Sequence, residues 1–442
     1  MSEFTPLREA VDALASRTPP PDFGELQRRA TRRGRRRVGM AAAALAAVIA
    51  GSALAVTGLD DDRRMDPVEQ PKPGPAPNGW VAVAVVAYQD RGDIYLVRPG
   101  EDARRLEVGG SDAADEACPV WSPDGTRLLF GRLTGSSDTT SGDAELVIVP
   151  VGPDGAVGAP TTIGLDGFVA LDSLEPHPCG TWAPDGRWVA LRGPGEVWVV
   201  DTQTGAIRRL PDLRPMDLEW RPGTDELTIA GDMGTTRAAD WGSTPVTVYS
   251  VSTDELHPLG SLRAAHLTWS PDGSTLAYTG TGDGQSGPDG LWLVDPDGTN
   301  ERLLVADLGQ AIHGIGPVWS PTGDRIAYQR LISSPGERHE VVLVNVPDGT
   351  EKVIEPPKTD GPDGPVWYPY SVTWSPDGTT LLYTAWTVNR RLRGVARDGG
   401  DGVIAVPADA PSDVTILTDL DPVLGYKEHS WVPIQMWGRH PG

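Results

Sequence analysis

The pattern Trp-x-Pro recurs at seven spaced places in the second part of the chain: WSP at Trp121, WAP at Trp182, WRP at Trp220, WSP at Trp269, Trp319 and Trp374, and WVP at Trp431, with one further match, WYP at Trp367, just before Trp374. The copies lie on average about 52 residues apart, a period that belongs to propeller blades and not to helical solenoids or leucine-rich arrays. Five of the seven continue as W-x-P-[DT]-G. Seven residues after each of the first six Trp stands an apolar residue: Leu128, Val189, Leu227, Leu276, Ile326 and Leu381. Nine residues after stands another: Phe130, Leu191, Ile229, Tyr278, Tyr328 and Tyr383. Period two at a fixed register predicts a strand with one buried face.

Each part of the motif has a physical role. Trp ends a strand and offers a large apolar surface to wedge between blades. Pro cannot donate to a ladder, and Asp-Gly makes a tight turn that needs positive φ. Apolar third strands follow at Asp93–Val97, Glu145–Val149, Glu196–Val200, Gly290–Val294 and Glu340–Val344, with a more polar fourth strand returning to the next Trp. Gly and Pro number 53 and 42 of 442 residues, nearly twice their ordinary share of roughly 12%, as many short strands and turns require.

The chain is therefore expected to be all-β from residue 80 to 442, a propeller of four-stranded antiparallel blades. Only eleven residues follow Trp431, too few for a further blade, whereas the first copy begins at a second strand with Val86 and Tyr88 at the +7 and +9 places. Trp431 and its strand are expected to complete the N-terminal blade and close the ring, which gives seven blades. Six result if the unit at Trp182 or Trp220 is degenerate.

Residues 1–37 form a tail with nine Arg against five acids, so the tail is +4 and the remainder of the −23 chain is −27. Thr5, Pro6, Leu7, Ala10, Val11 and Leu14 predict a short capped amphipathic helix, ended by Pro19-Pro20-Pro21. Residues 38–59, Val38 to Leu59, carry no charge and are long enough to span a bilayer as a helix. The segment RRATRRGRRR precedes this run and Asp60, Asp61 and Asp62 come directly after it. The positive-inside rule then keeps the N-terminus cytoplasmic and exports the chain beyond residue 60. The alternative is a signal peptide cleaved after Ala53-Leu54-Ala55, which would give a secreted protein. Residues 60–79 form a Pro-rich spacer.

The W-S-P-D-G-x-x-[LI]-[AL]-[FY] units resemble the WD-type repeats of TolB-like β-propellers, a fold also used by the non-catalytic domains of dipeptidyl-peptidase-like and tricorn-like enzymes. The resemblance spans the chain from residue 80 onward. It implies a binding platform, envelope scaffold or substrate gate. The pattern departs from periplasmic TolB in having a tail and an anchor in place of an N-terminal α/β domain.

No G-x-S-x-G elbow or HExxH stands in the sequence, and Asp295-Pro-Asp297-Gly298 reads as a hairpin turn, not a calcium loop. The chain is accordingly read as a non-enzyme with no metal and no cofactor. Its acidic body disfavours nucleic acid. The partner is an unidentified envelope protein or small ligand, and the membrane is met through Val38–Leu59. Two other readings are a metal-dependent hydrolase or lactonase with its site in the channel, and a transmembrane sensor acting through its tail.

Three residues before each Trp stand Cys118, Cys179, Asp217, His266, Gly316, Ser371 and Glu428. Near the axis these would line one mouth of the channel, so Asp217, His266, Ser371 and Glu428 are the candidate ligand-binding residues. The only two cysteines, Cys118 and Cys179, are expected either to form a disulfide between consecutive blades or to stay as buried thiols.

Overall fold

In a computed structural model, the residues described run from 79 to 431, except 88–91, 99–100, 110–113, 135–142, 169–177, 194, 233–243, 281–289, 307, 309–315, 333–337, 355–365, 389–400, 411–414 and 420–429. The tail, the apolar run Val38–Leu59 and most of the Pro-rich spacer lie outside them. Among the described residues, no helix is long and apolar enough to cross a membrane.

The described strands form seven four-stranded antiparallel sheets, each in sequential order from an inner to an outer strand. Blade one is Ala114–Trp121, Arg127–Thr134, Asp143–Pro150 and Thr161–Gly164. Blade two is Gly180–Trp182, Trp188–Gly193, Glu196–Asp201 and Ile207–Pro211. Blade three is Arg214–Trp220, Glu226–Asp232, Thr244–Ser250 and Glu255–Ala264. Blade four is His266–Trp269, Leu276–Gly280, Gly290–Val294 and Arg302–Val305. Blade five is Val318–Trp319, Arg325–Ile332, Arg338–Asn345 and Glu351–Ile354. Blade six is Val366–Trp374, Thr380–Val388, Asp401–Pro407 and Thr415–Asp419. Blade seven is shared: Ser430–Trp431 from the C-terminal part pairs with Val81–Ala87, followed by Gly92–Val97 and Arg104–Arg105. The six-bladed alternative is thereby excluded, because the units at Trp182 and Trp220 both build full sheets.

The +7 and +9 residues of the first six repeats are all buried, Leu128 and Phe130 with no exposure at all. They pack between blades. Leu128, Phe130, Val147 and Val149 of blade one form one cluster with Trp80, Ala82, Ala84, Ile94 and Leu96 of blade seven. Blades six and seven close in the same way, through Leu382, Val403 and Ala405 against Val81, Val83 and Val97. A sheet buried on both faces against its neighbours explains why third strands read as continuous apolar runs.

Five of the repeat Trp also use a polar handle. The indole N–H of Trp182 donates to the carbonyl of Val120, that of Trp220 to Thr181, that of Trp319 to Thr268 and that of Trp374 to Val318, at 3.1–3.2 Å. In each case the acceptor is the residue just before the Trp of the preceding blade. Trp269 departs from the rule and donates to Thr228 Oγ1 at 2.9 Å. The turn after Trp is built from its own sequence: Ser270 Oγ donates to Asp272 Oδ1 at 2.6 Å and accepts Thr275 N–H at 2.9 Å, and Gly273 at φ +68° completes it. The Ser122, Ser320 and Ser375 turns repeat the arrangement.

Two expectations need correction at the closure. In six blades the Trp faces its own +7 residue, as in Trp121 opposite Leu128 and Trp374 opposite Leu381. The third strands show which residues of blade seven are equivalent. Leu128 and Phe130 face Val149 and Val147, and Val81 and Val83 face the matching Val97 and Tyr95. Val81 and Val83, not Val86 and Tyr88, are therefore the +7 and +9 residues. Trp431 faces Val86, five residues beyond Val81, so it does not take the place of the other six Trp.

Candidate functional site

The position three residues before Trp brings blades one and two, and blades three and four, into direct contact. Cys118 and Cys179 are joined by a disulfide with their Cα atoms 5.2 Å apart, about half the roughly 10 Å that separates packed sheets. Cys118 sits where the inner strand of blade one slips register between Ala117 and Val120, and its φ of 57° is in the left-handed region. That bulge turns the side chain toward the neighbouring blade.

The next pair in the ring is Asp217 and His266. A second bulge, between Pro215 and Asp217, aims the carboxylate across to blade four. Its Oδ1 accepts Leu218 N–H at 2.9 Å and its Oδ2 accepts Leu267 N–H at 2.8 Å. His266 Nδ1 lies 4.0 Å from the same Oδ2, and both side chains are 27% exposed. Gly316 follows in blade five. A Cβ there would stand 3.0 Å from the His266 Cβ, so the glycine leaves the imidazole its place.

Ser371 lies in the inner strand of blade six, immediately after a third bulge between Pro369 and Ser371. Glu428 lies outside the described residues. The structure thus brings Asp217 and His266 together, places Ser371 at the equivalent backbone position, and leaves Glu428 unplaced. Among the described residues no group of three or more His, Cys, Asp or Glu could hold a metal ion. With both carboxylate oxygens accepting backbone N–H groups, Asp217 acts as a staple between inner strands. The imidazole of His266, partly exposed, stands against that carboxylate.

Beside this ring lies an ion pair that motif reading missed. Arg132 donates to Glu116 Oε1 through Nε at 3.0 Å and through Nη2 at 2.7 Å, with the two side chains only 5% and 11% exposed. Burial pushes the Glu116 carboxyl up, and the Arg132 hydrogen bonds oppose that shift. Glu116 stands two residues before Cys118, and the charged pair in an apolar-looking strand was its only sequence signal. Arg192 extends the polar edge by donating to the Met216 carbonyl at 2.5 Å.

No protein-family model and no curated protein matches the chain. Solved structures are similar to it. A prolyl endopeptidase structure aligns with 81% of this chain and 50% of its own, at 11% identity and a TM-score of 0.50. A putative TolB from Agrobacterium tumefaciens aligns with 58% of this chain and 90% of its own, at 20% identity and a TM-score of 0.37. A putative 6-phosphogluconolactonase from Bacteroides uniformis aligns with 81% and 99%, at 13% identity and a TM-score of 0.46. At these identities, likeness concerns the fold alone.

Proposed function

We propose that the chain is a single-pass membrane protein whose propeller lies outside the cytoplasm and serves as a protein- or ligand-binding scaffold module of the cell envelope. The observation that carries this reading is the Cys118–Cys179 pair, held at a Cα separation of 5.2 Å. Disulfides persist in oxidising compartments and are rare in the cytosol. The Arg-rich residues 28–37 before the apolar run Val38–Leu59 favour the same orientation.

Binding, not catalysis, is the role assigned to the inner-strand ring. Asp217, held by two backbone N–H groups, stands against the His266 imidazole and fixes where it presents itself. A half-exposed imidazole at a convergence of blades is suited to a single hydrogen bond with a docked group. The test is a photo-crosslinking residue placed at His266 in the membrane-bound protein. A discrete adduct with an envelope component, lost when Asp217→Asn is added, is expected; no adduct in growing cells would contradict a binding role at this mouth.

A further inference from the structure

We propose that the Cys118–Cys179 disulfide is a redox latch: it holds the inner strand of blade one a residue out of the register that other blades use, and reduction by a dithiol lets that strand return. In blades three, four and six the residue three before the Trp faces the +10 residue: Asp217 faces Ala230, His266 faces Thr279 and Ser371 faces Thr384. In blade one the +10 residue, Gly131, faces Ala117 instead, and Cys118 and Pro119 together stand against Phe130. On either side the register is common to blades one, three and six. Glu116, Pro215 and Pro369 each face the +11 residue, and Val120, Glu219 and Thr373 each face the +8 residue. Each of these strands therefore accommodates the same extra residue, at Met216 in blade three, at Tyr370 in blade six and beside Cys118 in blade one. The buried Glu116–Arg132 pair and the Val120–Leu129 pair bound the segment 117–119, so the extra residue can shift from Cys118 to Ala117 with no change elsewhere in the strand.

A second observation points to the same segment. Cys118 has a φ of 57°, although a residue that precedes proline favours extended backbone. A bulge does not demand this, because neither Met216 nor Tyr370 has a positive φ. Pro119 fits the shifted register, in which it faces Phe130. The equivalent N–H groups of Leu218 and Leu267 donate to the Asp217 carboxylate and not to the facing strand, so no ladder donor is needed there. Cys179 is partly exposed and Cys118 is buried, so the thiolate of a dithiol meets the Cys179 sulfur first. The S–S bond breaks, and Cys118 leaves as a thiolate and takes a proton. The second thiol of the reductant then displaces Cys179, so two electrons pass to the pair and the dithiol becomes a disulfide. Released, Cys118 takes extended backbone opposite Gly131, the place that Asp217, His266 and Ser371 hold in their blades. The ring gains a thiol between blades one and two. The latch goes beyond the binding reading and does not depend on which side of the membrane holds the propeller.

The experiment uses the full chain in detergent micelles. Native protein is treated with dithiothreitol, quenched with acid, then denatured and alkylated. Both cysteines should be alkylated, and the reduced protein should still melt cooperatively; a disulfide that yields only in denaturant overturns the latch. The register is tested in a Cys179→Ala background by comparing Cys118→Gly with Cys118→Ala. Glycine is favoured over alanine at a left-handed position and at no other in a strand. If the strand returns to the common register once the tie is gone, the alanine variant melts at or above the glycine variant. A glycine variant that melts higher, by about 2 °C or more, shows that Cys118 stays left-handed without the disulfide and overturns the proposal. Loss of a cooperative transition in both variants overturns it as well, since a latch must leave the propeller folded in either state.

Discussion

The indole N–H of Trp182 donates to the carbonyl of Val120 across 3.2 Å, tying the inner strand of blade two to that of blade one. Because the acceptor is backbone, the contact depends on the fold of the preceding blade and on no particular side chain there. That is how one Trp per repeat can serve blades of quite different sequence. Replacing Trp182 by Phe keeps most of the apolar wedge and orphans only this bond. A loss of about 1 kcal/mol is expected, against about 3–5 kcal/mol for Trp182→Ala, measured by urea denaturation of the two variants. No loss in the Phe variant would show that the indole N–H contributes nothing.

The staple at Asp217 predicts a larger effect than its half-exposed position suggests. Asp217→Ala leaves Leu218 and Leu267 N–H groups without their acceptors and should cost about 1–3 kcal/mol in the same assay. Asp217→Asn retains one amide oxygen and should fall between the two. An unchanged midpoint for the Ala variant would show that Asp217 staples nothing.

Gly316 keeps room for the imidazole of His266, which a Cβ would approach at 3.0 Å. Gly316→Val is expected to displace His266 and to lower crosslinking yield from that position, while a cooperative unfolding transition remains. Unchanged crosslinking would show that the ring tolerates bulk there.

Acid should weaken the propeller through its paired carboxylates. The Arg187 guanidinium, 2.6 Å from Asp201, holds that carboxyl down at about 2, against roughly 3.9 in an unfolded chain. A depressed folded value means that the stabilisation is present above pH ~4 and is lost as pH falls toward 2. Hydrogen bonds from Ser270 lower Asp272 in the same sense. Melting temperatures between pH 5 and pH 2 should fall less steeply for Asp201→Asn than for the parent. Parallel curves would contradict the pairing.

Much of this fold is legible in the sequence because the Trp wedge and the alternation behind it recur at one register, whatever else varies between blades. The third strands Thr244–Ser250 and Asp401–Pro407 are not, since Thr-Pro and Asp-Gly at their starts mask the apolar run. The closure is hidden for a different reason: its inner strand comes from the far end of the chain, so no local spacing ties Trp431 to Val81. At the candidate site, the equivalence of Asp217 and His266 can be read from repeat alignment. The engagement of Asp217 by Leu267 N–H cannot, because it arises from a bulge that shifts the carboxylate into the next blade.

The disulfide closes a loop of 61 residues, and the loop-entropy model assigns it about 4 kcal/mol. Reduction should lower the urea midpoint accordingly, and thiol labelling of unreduced, denatured protein taken from membranes should find no reactive cysteine. Two labelled thiols would place the propeller in a reducing compartment.

Paired fusions test most directly whether the propeller faces away from the cytoplasm. A reporter that fluoresces only in the cytoplasm should be bright at the N-terminus and dark at Gly442, while one active only after export should show the reverse. Cytoplasmic fluorescence from the Gly442 fusion, with no activity from its exported counterpart, would contradict that claim.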